Sequence, residues 1–412
     1  MGRTQDRPFD LVLLGATGYT GGLVAHHLAA SGEPLRWAIA GRAPQKLAAL
    51  AADLAQATPQ ATPPQTLVVD ATCRADMERL AQATRVVCTT AGPFAHVGSE
   101  LVAACAAAGT DYCDITGELQ WVRKMIDAHH ERALASGARL VHFCGFDSIP
   151  SDLGTWALQQ EMIARTGAPA RSVTAYVSEL RGSLSGGTAA SILAFLDAAQ
   201  ADRQAARLLA APYSLNPDPS YRGPDRGDLR AVAYDRTRRA LTMPFLMAPT
   251  NTRVVRRSHA LAGFPWGHDF RYAEMATAPV SLAGLAQTLG MTAGLAALLV
   301  AAAQPQLRKL LQKRLPRPGE GPSREERERG RYKVTLVGRR DEHQLTFVVS
   351  DQADPGYGST SKMLAQAALC LALDPLAPCS GSLTPSTAMA VPLLARLRAA
   401  GLTFAIPVLA SP

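Results

Sequence analysis

Short apolar runs alternate with stretches of helical periodicity through the first third of the chain. The apolar runs span residues 9–14, 35–40, 66–69, 85–89 and 139–143. Each run is rich in strand-forming residues, and the stretches between them place apolar residues three and four positions apart. Strands that alternate with helices are typical of a parallel sheet with helices on both faces. The pattern therefore predicts a doubly wound α/β domain in this part of the chain.

Three glycines, Gly15, Gly18 and Gly21, lie between the first predicted strand and the first predicted helix. This spacing allows a sharp turn and brings the backbone around Thr17 and Tyr19 close to a pyrophosphate. The helix N-terminus adds a field that favours an anion. Glycines also occur in ordinary strand-to-helix turns, but the strand before and the helix after these three favour a dinucleotide site. We therefore predict a Rossmann-type domain.

The end of the second predicted strand indicates which dinucleotide binds. An NAD site carries an acidic residue about 20 positions beyond the glycines, whereas this chain has Arg42 there. A guanidinium suits a 2′-phosphate, and Lys46 adds a second positive charge one helical turn later. We predict NADP(H) as the cofactor; the alternative is that Arg42 is only a solvated residue at a helix start. Asp70, after the third strand, is placed to contact the adenine side, to cap the next helix, or both.

Loops after the later strands are expected at the same edge of the sheet, where the ligand crevice lies. Gly92 and Pro93 follow the fourth strand and are predicted to shape the wall near the nicotinamide. Asp147 and Ser148 follow the 139–143 strand, on a loop that precedes a helix. No metal site is predicted from the sequence.

An acidic strand, residues 110–115, carries the candidate catalytic groups. Alternation places Tyr112 and Asp114 on one face of this strand. We predict Tyr112 as the proton donor and Asp114 as the residue that orients it, with proton transfer by water as the alternative. The competing interpretation is a strand end with solvated carboxylates, followed by Thr116 and Glu118 as caps of the next helix.

Composition limits the classes of partner and compartment. The chain has 412 residues, 47% of them hydrophobic, a formal net charge of +8 and a pI near 9.3. It carries no nucleic-acid-binding motif, so the positive charge favours acidic substrates, a carrier-protein partner or an anionic membrane surface. Seven scattered cysteines without a C-x-x-C pair, and a polar N-terminus, predict a cytoplasmic protein.

A second domain is predicted to begin near residue 170. A strand-like run at 172–179 leads to Gly186 and Gly187 and then to a predicted helix at 189–209, while 213–228 is typical of a long surface loop. The loop is either a lid or a flexible excursion.

An uncharged run covers residues 281–303 and is long enough to span a bilayer. Its many alanines and glycines favour a buried or lipid-lining helix over a transmembrane one. The basic residues between 308 and 317 suit docking on anionic headgroups, and 317–331 is predicted to be an exposed linker.

Several motifs occur in a recognisable order. They are GATGYTG, AGR, GPF, GTDYCDITGE and CGFDSIPSD, followed by NTRVVRRS, GPSREERERGRY and STSKMLAQAALCLALD. In these motifs the chain resembles the saccharopine dehydrogenase-like oxidoreductases, and most of all the bacterial trans-acting enoyl reductases. The resemblance covers nearly the whole chain.

The resemblance implies a fold, a division into domains and an activity. It implies a Rossmann domain (1–150), an inserted substrate or lipid-binding domain (151–350) that includes the apolar helix, and carboxyl-terminal helices (351–412) returning to the first domain. The implied activity is NADPH-dependent reduction of a carbon–carbon double bond in an acyl chain made by a polyketide synthase. The implied partners are that hydrophobic substrate and an acyl carrier or polyketide synthase.

Two other functions compete with this one. The first is imine or amine oxidoreduction of the saccharopine dehydrogenase type. Its substrate would be small and highly charged, whereas the uncharged run at 281–303 favours a lipid. The second is a non-catalytic, NADP(H)-binding, lipid-associated protein. For any of these, a peripheral contact with the inner face of the plasma membrane is compatible with the basic charge.

Overall fold

The computed structural model describes residues 7–182, 210–218, 220–229, 231–236, 238–304, 306 and 321–407. Seven parallel strands form the first of two sheets in these residues. Their spatial order is β13 (Gly381–Leu383), β6 (Arg139–Val141), β5 (Asp111–Asp114), β4 (Thr84–Thr89), β1 (Phe9–Leu14), β2 (Trp37–Gly41) and β3 (Gln65–Val68). From β1 the chain adds β2 and β3 on one side and then β4, β5 and β6 on the other, so the order of the strands reverses between β1 and β4. In doubly wound sheets the ligand crevice lies at the carboxyl ends of the strands at such a point. The predicted doubly wound fold is confirmed.

Helices connect these strands. They are α1 (Tyr19–Ala30), α2 (Pro44–Ala57), α3 (Arg74–Ala83), α4 (Phe94–Val97), α5 (Ser99–Ala108) and α6 (Leu119–Ser136). Local signals explain several of their ends. A proline occupies the first turn of α2, and Gly109 and Gly137 adopt the left-handed conformation that ends α5 and α6.

The second sheet is mixed. Its spatial order is β14 (Thr403–Ala405), β12 (His343–Asp351), β11 (Arg331–Arg340), β7 (Ser172–Arg181), β10 (Arg271–Pro279), β9 (Ala240–Met243) and β8 (Ala233–Asp235). Among the described strands of this sheet, β7 and β10 are the one pair that runs parallel. Helix α7 (Ile149–Thr166) packs against β11 and β12, and α8 (Ala248–Leu261) packs against β10 and α7.

The last part of the chain returns to the first sheet. After the short helix α10 (Arg324–Glu328) and a π-helical turn (Pro355–Ser359), α11 (Thr360–Leu373) packs against α1, β1, β4 and β5. Its apolar residues are buried almost all round, as expected of a helix inside a core. Helix α12 (Pro385–Ala399) then connects β13 of the first sheet with β14 of the second. The predicted return of a late helix is confirmed, whereas the exact domain limits stay a prediction.

The uncharged run forms α9 (Leu282–Ala303), which lies on β9 and β10. Gly284 and Thr288 face the sheet and are buried, while Leu282 and Leu289 are 89% and 53% exposed. The expectation that this helix is buried is therefore wrong, because small residues rather than leucines make the contact, while its alternative, a lipid-lining helix, stays a prediction. In the part of the chain that the structure describes, no helix has both the length and the apolar character needed to cross a bilayer.

The predicted surface loop at 213–228 is anchored rather than free. Leu215 and Asn216 are buried, and their carbonyl oxygens accept hydrogen bonds from Arg257 and Arg123. The part of this loop that the structure describes is therefore not a flexible excursion. The helix predicted at 189–209, with Gly186 and Gly187, and the basic cluster at 308–317 lie outside the described residues.

Candidate functional site

The glycine turn joins β1 to α1 and requires glycine at two positions. Gly15 has a φ of 82°, and a Cβ atom there would lie 2.8 Å from the backbone nitrogen of Ala91. A Cβ atom on Gly21 would lie 2.2 Å from the carbonyl oxygen of Gly15. Gly18 occupies the N-cap of α1 and has no side chain to cap it. The amino end of α1 therefore has no side-chain cap from the described residues, which is compatible with the predicted pyrophosphate site.

The residues predicted at the ribose and adenine end lie beside this turn. Arg42 directly follows β2 and is exposed, as is Lys46 in the first turn of α2. The position of a Cβ atom on Gly41 is 3.5 Å from Oγ1 of Thr17, which places Thr17 at the end of β2. These positions suit a phosphate that approaches from solvent.

Asp70 is fixed by a local turn. Its carboxylate accepts hydrogen bonds from the backbone nitrogen and the hydroxyl of Thr72, at 2.9 and 2.8 Å. These bonds, and to a smaller extent the charge of Arg42, hold the pKa of Asp70 below its usual value. The N-cap of α3 is Cys73. Asp70 therefore stabilises the turn before the helix, and its contact with adenine stays a prediction.

Glu118 organises the wall formed by Gly92 and Pro93, which are joined by a cis peptide bond. Its two carboxylate oxygens accept hydrogen bonds of 2.9 Å from the backbone nitrogens of Phe94 and Ala95. The side chain thus caps α4, and not α6 as one interpretation of the sequence expected. Burial raises the pKa of Glu118 although these bonds oppose the shift.

Asp114 is the centre of a buried cluster at the end of β5. Its Oδ2 accepts a 2.8 Å hydrogen bond from the Tyr112 hydroxyl and lies 2.7 Å from Nδ1 of His142. Its Oδ1 accepts bonds from the backbone nitrogens of Thr116 and Phe143. Burial, followed by the charge of Asp114, raises the pKa of Tyr112 well above its usual value. The structure shows the predicted bond between Tyr112 and Asp114, while their catalytic roles stay predictions.

The alternative of solvated carboxylates on this strand is wrong. Asp114 is completely buried, and Asp111 accepts bonds from the backbone nitrogen and from Nη1 of Arg139, at 2.8 and 3.1 Å. Sequence reasoning also missed His142. The one sequence signal for His142 was the presence of a histidine within the apolar run at 139–143, whose strand β6 pairs with β5.

Asp147 differs from the other acidic residues near the crevice. It is partly exposed, and no described residue donates a hydrogen bond to its carboxylate. Its Oδ2 lies 4.0 Å from the position of a Cβ atom on Gly117, so the loops after β5 and β6 meet there. Desolvation, and then the charge of Asp114, raise the pKa of Asp147 to about 7. A carboxyl group with this pKa can hold a proton at neutral pH.

A polar chain continues from this loop into the second sheet. Ser148 donates to Asn251, at 3.1 Å, and Asn251 donates to Oε1 of Glu274, at 2.7 Å. Oε2 of Glu274 accepts bonds from Ser151 and Tyr272, at 2.9 and 3.0 Å. Burial raises the pKa of Glu274 to about 7. This network fixes α7 and α8 relative to the loop that carries Asp147.

Comparison with known proteins adds to this geometry. A family model described as the saccharopine dehydrogenase NADP binding domain matches residues 11–141. A trans-acting enoyl reductase of Mycobacterium bovis BCG is 39% identical over 96% of this chain and 97% of its own length. A Mycobacterium tuberculosis protein, provisionally named a trans-acting enoyl reductase, is 41% identical over 98% of this chain and 99% of its own length. The chain belongs to the family of trans-acting enoyl reductases.

Membership of the trans-acting enoyl reductase family confirms the predicted relationship, and the matched domain confirms NADP(H) as the cofactor. Among solved structures, the apo saccharopine dehydrogenase (L-Glu forming) of Saccharomyces cerevisiae superposes with a TM-score of 0.52. That match covers 97% of this chain and 99% of the other, at 13% identity. It shows that this trans-acting enoyl reductase family member has the saccharopine dehydrogenase fold.

Proposed function

We propose that this protein reduces a carbon–carbon double bond in a polyketide or fatty-acyl intermediate with NADPH. The observation that carries the proposal is the identity of 38–41% to trans-acting enoyl reductases over nearly the full length of both chains. The glycine turn and Arg42 supply the cofactor site that such a reaction needs. The acyl chain would be presented by an acyl carrier or a polyketide synthase.

The reaction adds one hydride and one proton across the double bond. Bound NADPH supplies a hydride. The protein must hold the acyl chain against the crevice and deliver a proton to the neighbouring carbon. We assign the role of proton donor to Asp147 rather than to Tyr112, because the Tyr112 hydroxyl is buried and already donates to Asp114. Water restores the proton to Asp147 after each turnover.

Tyr112, Asp114 and His142 then act as positioning residues. Asp114 binds the backbone at Thr116 and Phe143, so it fixes the loops that follow β5 and β6. These loops carry Gly117 and Asp147. The buried cluster thereby sets the position of the proposed proton donor.

An assay of NADPH oxidation with α,β-unsaturated acyl thioesters tests this function. We expect consumption of NADPH and formation of the saturated thioester, identified by mass spectrometry. Asp147→Asn should bind NADPH normally but turn over about 10²–10⁴-fold more slowly. Asp53→Asn, at an exposed position on α2, is the matched control and should keep full activity.

The pH dependence gives a second readout in the same assay. Asp147 donates only when protonated, so the rate of the chemical step should fall as the pH rises through about 7. Asp114 is the charged group that contributes to this pKa, and the neighbouring Gly117 and Met247 carry no charge. Asp147→Asn should lose this dependence. NADPH binding without consumption would favour the non-catalytic alternative, and turnover of an imine instead would favour the saccharopine-type reaction.

We further propose that the protein contacts an anionic membrane surface peripherally. Helix α9 presents exposed apolar side chains at Leu282, Leu285 and Leu289. The sequence soon after it carries Arg308, Lys309, Lys313, Arg314 and Arg317. Apolar side chains that enter the headgroup region next to a basic cluster are typical of peripheral binding.

Fractionation tests this contact. We expect the protein to divide between the unbound and membrane fractions, and high salt without detergent to release the bound part, because salt screens the basic cluster. A double substitution, Leu285→Gln with Leu289→Gln, should reduce the bound fraction. Retention after both salt and carbonate washing would contradict a peripheral mode, and so would the absence of any bound protein.

A further inference from the structure

Tyr19, the first residue of α1, is covered by a segment from the second half of the chain. Its hydroxyl donates to the carbonyl oxygen of Pro322 and accepts a hydrogen bond from Nη1 of Arg327. The Arg327 guanidinium lies 5.5 Å from the centroid of the Tyr19 ring, and the ring of Tyr357 meets it edge-on at 4.8 Å. These contacts place a guanidinium at the amino end of α1, where the sequence predicted only an exposed linker.

The segment that carries Arg327 is held in place. Ser323 and Glu326 form a reciprocal capping box at the start of α10. The carbonyl oxygen of Arg327 accepts a 2.9 Å hydrogen bond from the backbone nitrogen of Asp354. A Cβ atom on Gly330 would lie 2.3 Å from Cα of Asp354, so the two backbones pack directly. Arg327 is thus fixed against the turn that precedes α11.

Arg327 donates hydrogen bonds to the Tyr19 hydroxyl and, at 3.1 Å, to the carbonyl oxygen of Pro322, but it lacks the carboxylate partner that its neighbours have. The nearby ion pairs are Arg324 with Glu328, at 2.7 Å, and Arg329 with Glu325, at 3.6 Å. No carboxylate of the described residues lies within ion-pair distance of Arg327. No carboxylate of the described residues therefore competes with an external anion for this guanidinium.

The Arg327 guanidinium and the amino end of α1 carry charges of the same sign. The amino end of α1 carries a partial positive charge of about half an elementary charge, so the helix end and Arg327 repel each other. An anion between them would be attracted by both. A diphosphate group is the anion that the glycine turn accommodates at this helix end.

We propose that Arg327 binds the pyrophosphate of NADP(H) opposite the glycine turn, so that segment 321–330 closes over the cofactor. The inference rests on NADP(H) binding at the glycine turn and not on the identity of the acyl substrate. It also assigns a different part of the dinucleotide to each of two arginines. Arg42 recognises the 2′-phosphate that only NADPH carries, whereas Arg327 recognises the diphosphate that NADPH and NADH share.

Fluorescence titration of the full chain with NADPH and NADH, without acyl substrate, tests this division. Arg327→Ala should weaken the binding of both dinucleotides by roughly ten- to a hundredfold, because both lose the same charged contact. Arg327→Lys keeps the charge without the planar fork and should recover part of the affinity. Arg324→Ala, in the same helix but paired with Glu328, is the matched control and should bind both normally.

Melting temperatures without cofactor separate a binding role from a structural one. Arg327→Ala should melt close to Arg324→Ala but gain less stability from saturating NADPH at a fixed concentration. Affinities within twofold of the Arg324→Ala control would overturn the proposal. A loss confined to NADPH would also overturn it, because Arg327 would then contact the 2′-phosphate. Since no acyl substrate is present, neither outcome depends on enoyl reduction.

Discussion

Replacing Gly21 with alanine is expected to abolish NADPH binding and to destabilise the chain. The added methyl group would lie 2.2 Å from the carbonyl oxygen of Gly15 and 2.8 Å from Cα of Ala16. Both are backbone atoms of the turn, so α1 must move away from β1. We expect the free energy of unfolding to fall by about 3 kcal/mol, at the upper end of overpacking effects. The affinity for NADPH should fall more than about a hundredfold, because the displaced N–H groups no longer face the pyrophosphate.

The adjacent Gly22 provides a matched control for this substitution. A Cβ atom there would lie 3.9 Å from the carbonyl oxygen of Ala16, which is an ordinary contact. Gly22→Ala should therefore keep NADPH binding and gain up to about 1 kcal/mol of helix stability. Urea unfolding and fluorescence titration of both variants measure the difference. If Gly21→Ala behaved like Gly22→Ala, the close packing of α1 on the turn would not be what binding requires.

Replacing Arg42 with alanine should change the choice of cofactor. The exposed guanidinium follows β2, at the position where an NAD-binding protein carries an acid. Loss of a charged hydrogen bond to the 2′-phosphate is worth about 1.5–3 kcal/mol, or roughly ten- to a hundredfold in affinity. We expect this loss for NADPH and almost none for NADH, measured by titration with each dinucleotide.

Arg74 serves as the control for Arg42. It is also an exposed arginine, but it pairs with Glu78 on α3 at 2.8 Å. Arg74→Ala should leave both affinities unchanged. An equal loss for NADPH and NADH in Arg42→Ala would mean that Arg42 is a solvated residue and that another group recognises the 2′-phosphate.

The first sheet was predictable because its signals are local. The glycines of the turn, the proline at the start of α2 and the short apolar strands each act within a few residues. Predicted and observed elements therefore agree closely, as for the apolar run at 9–14, which forms β1, and the run at 85–89, which lies within β4. The resemblance of the motifs to a known family added the return of α11, which no local pattern indicates.

The candidate site was less predictable because its contacts join distant parts of the chain. His142 reaches Asp114 from the next strand, and Arg327 reaches Tyr19 from 308 residues away. Periodicity reports which face of an element is apolar, but it does not report which element covers it. For the same reason the pattern could not show that Leu282 and Leu289 point away from the sheet.

The late strand β13 has a consequence for biosynthesis. It completes the first sheet beside β6, and Arg139 on β6 donates a hydrogen bond to Ala377, 238 residues further along the chain. Until the ribosome has made residues 360–383, the edge of β6 stays unpaired and the core lacks α11. Exposed strand edges and apolar surface promote aggregation of nascent chains. The nucleotide-binding sheet is therefore completed only after the chain has left it, formed most of the second sheet and returned.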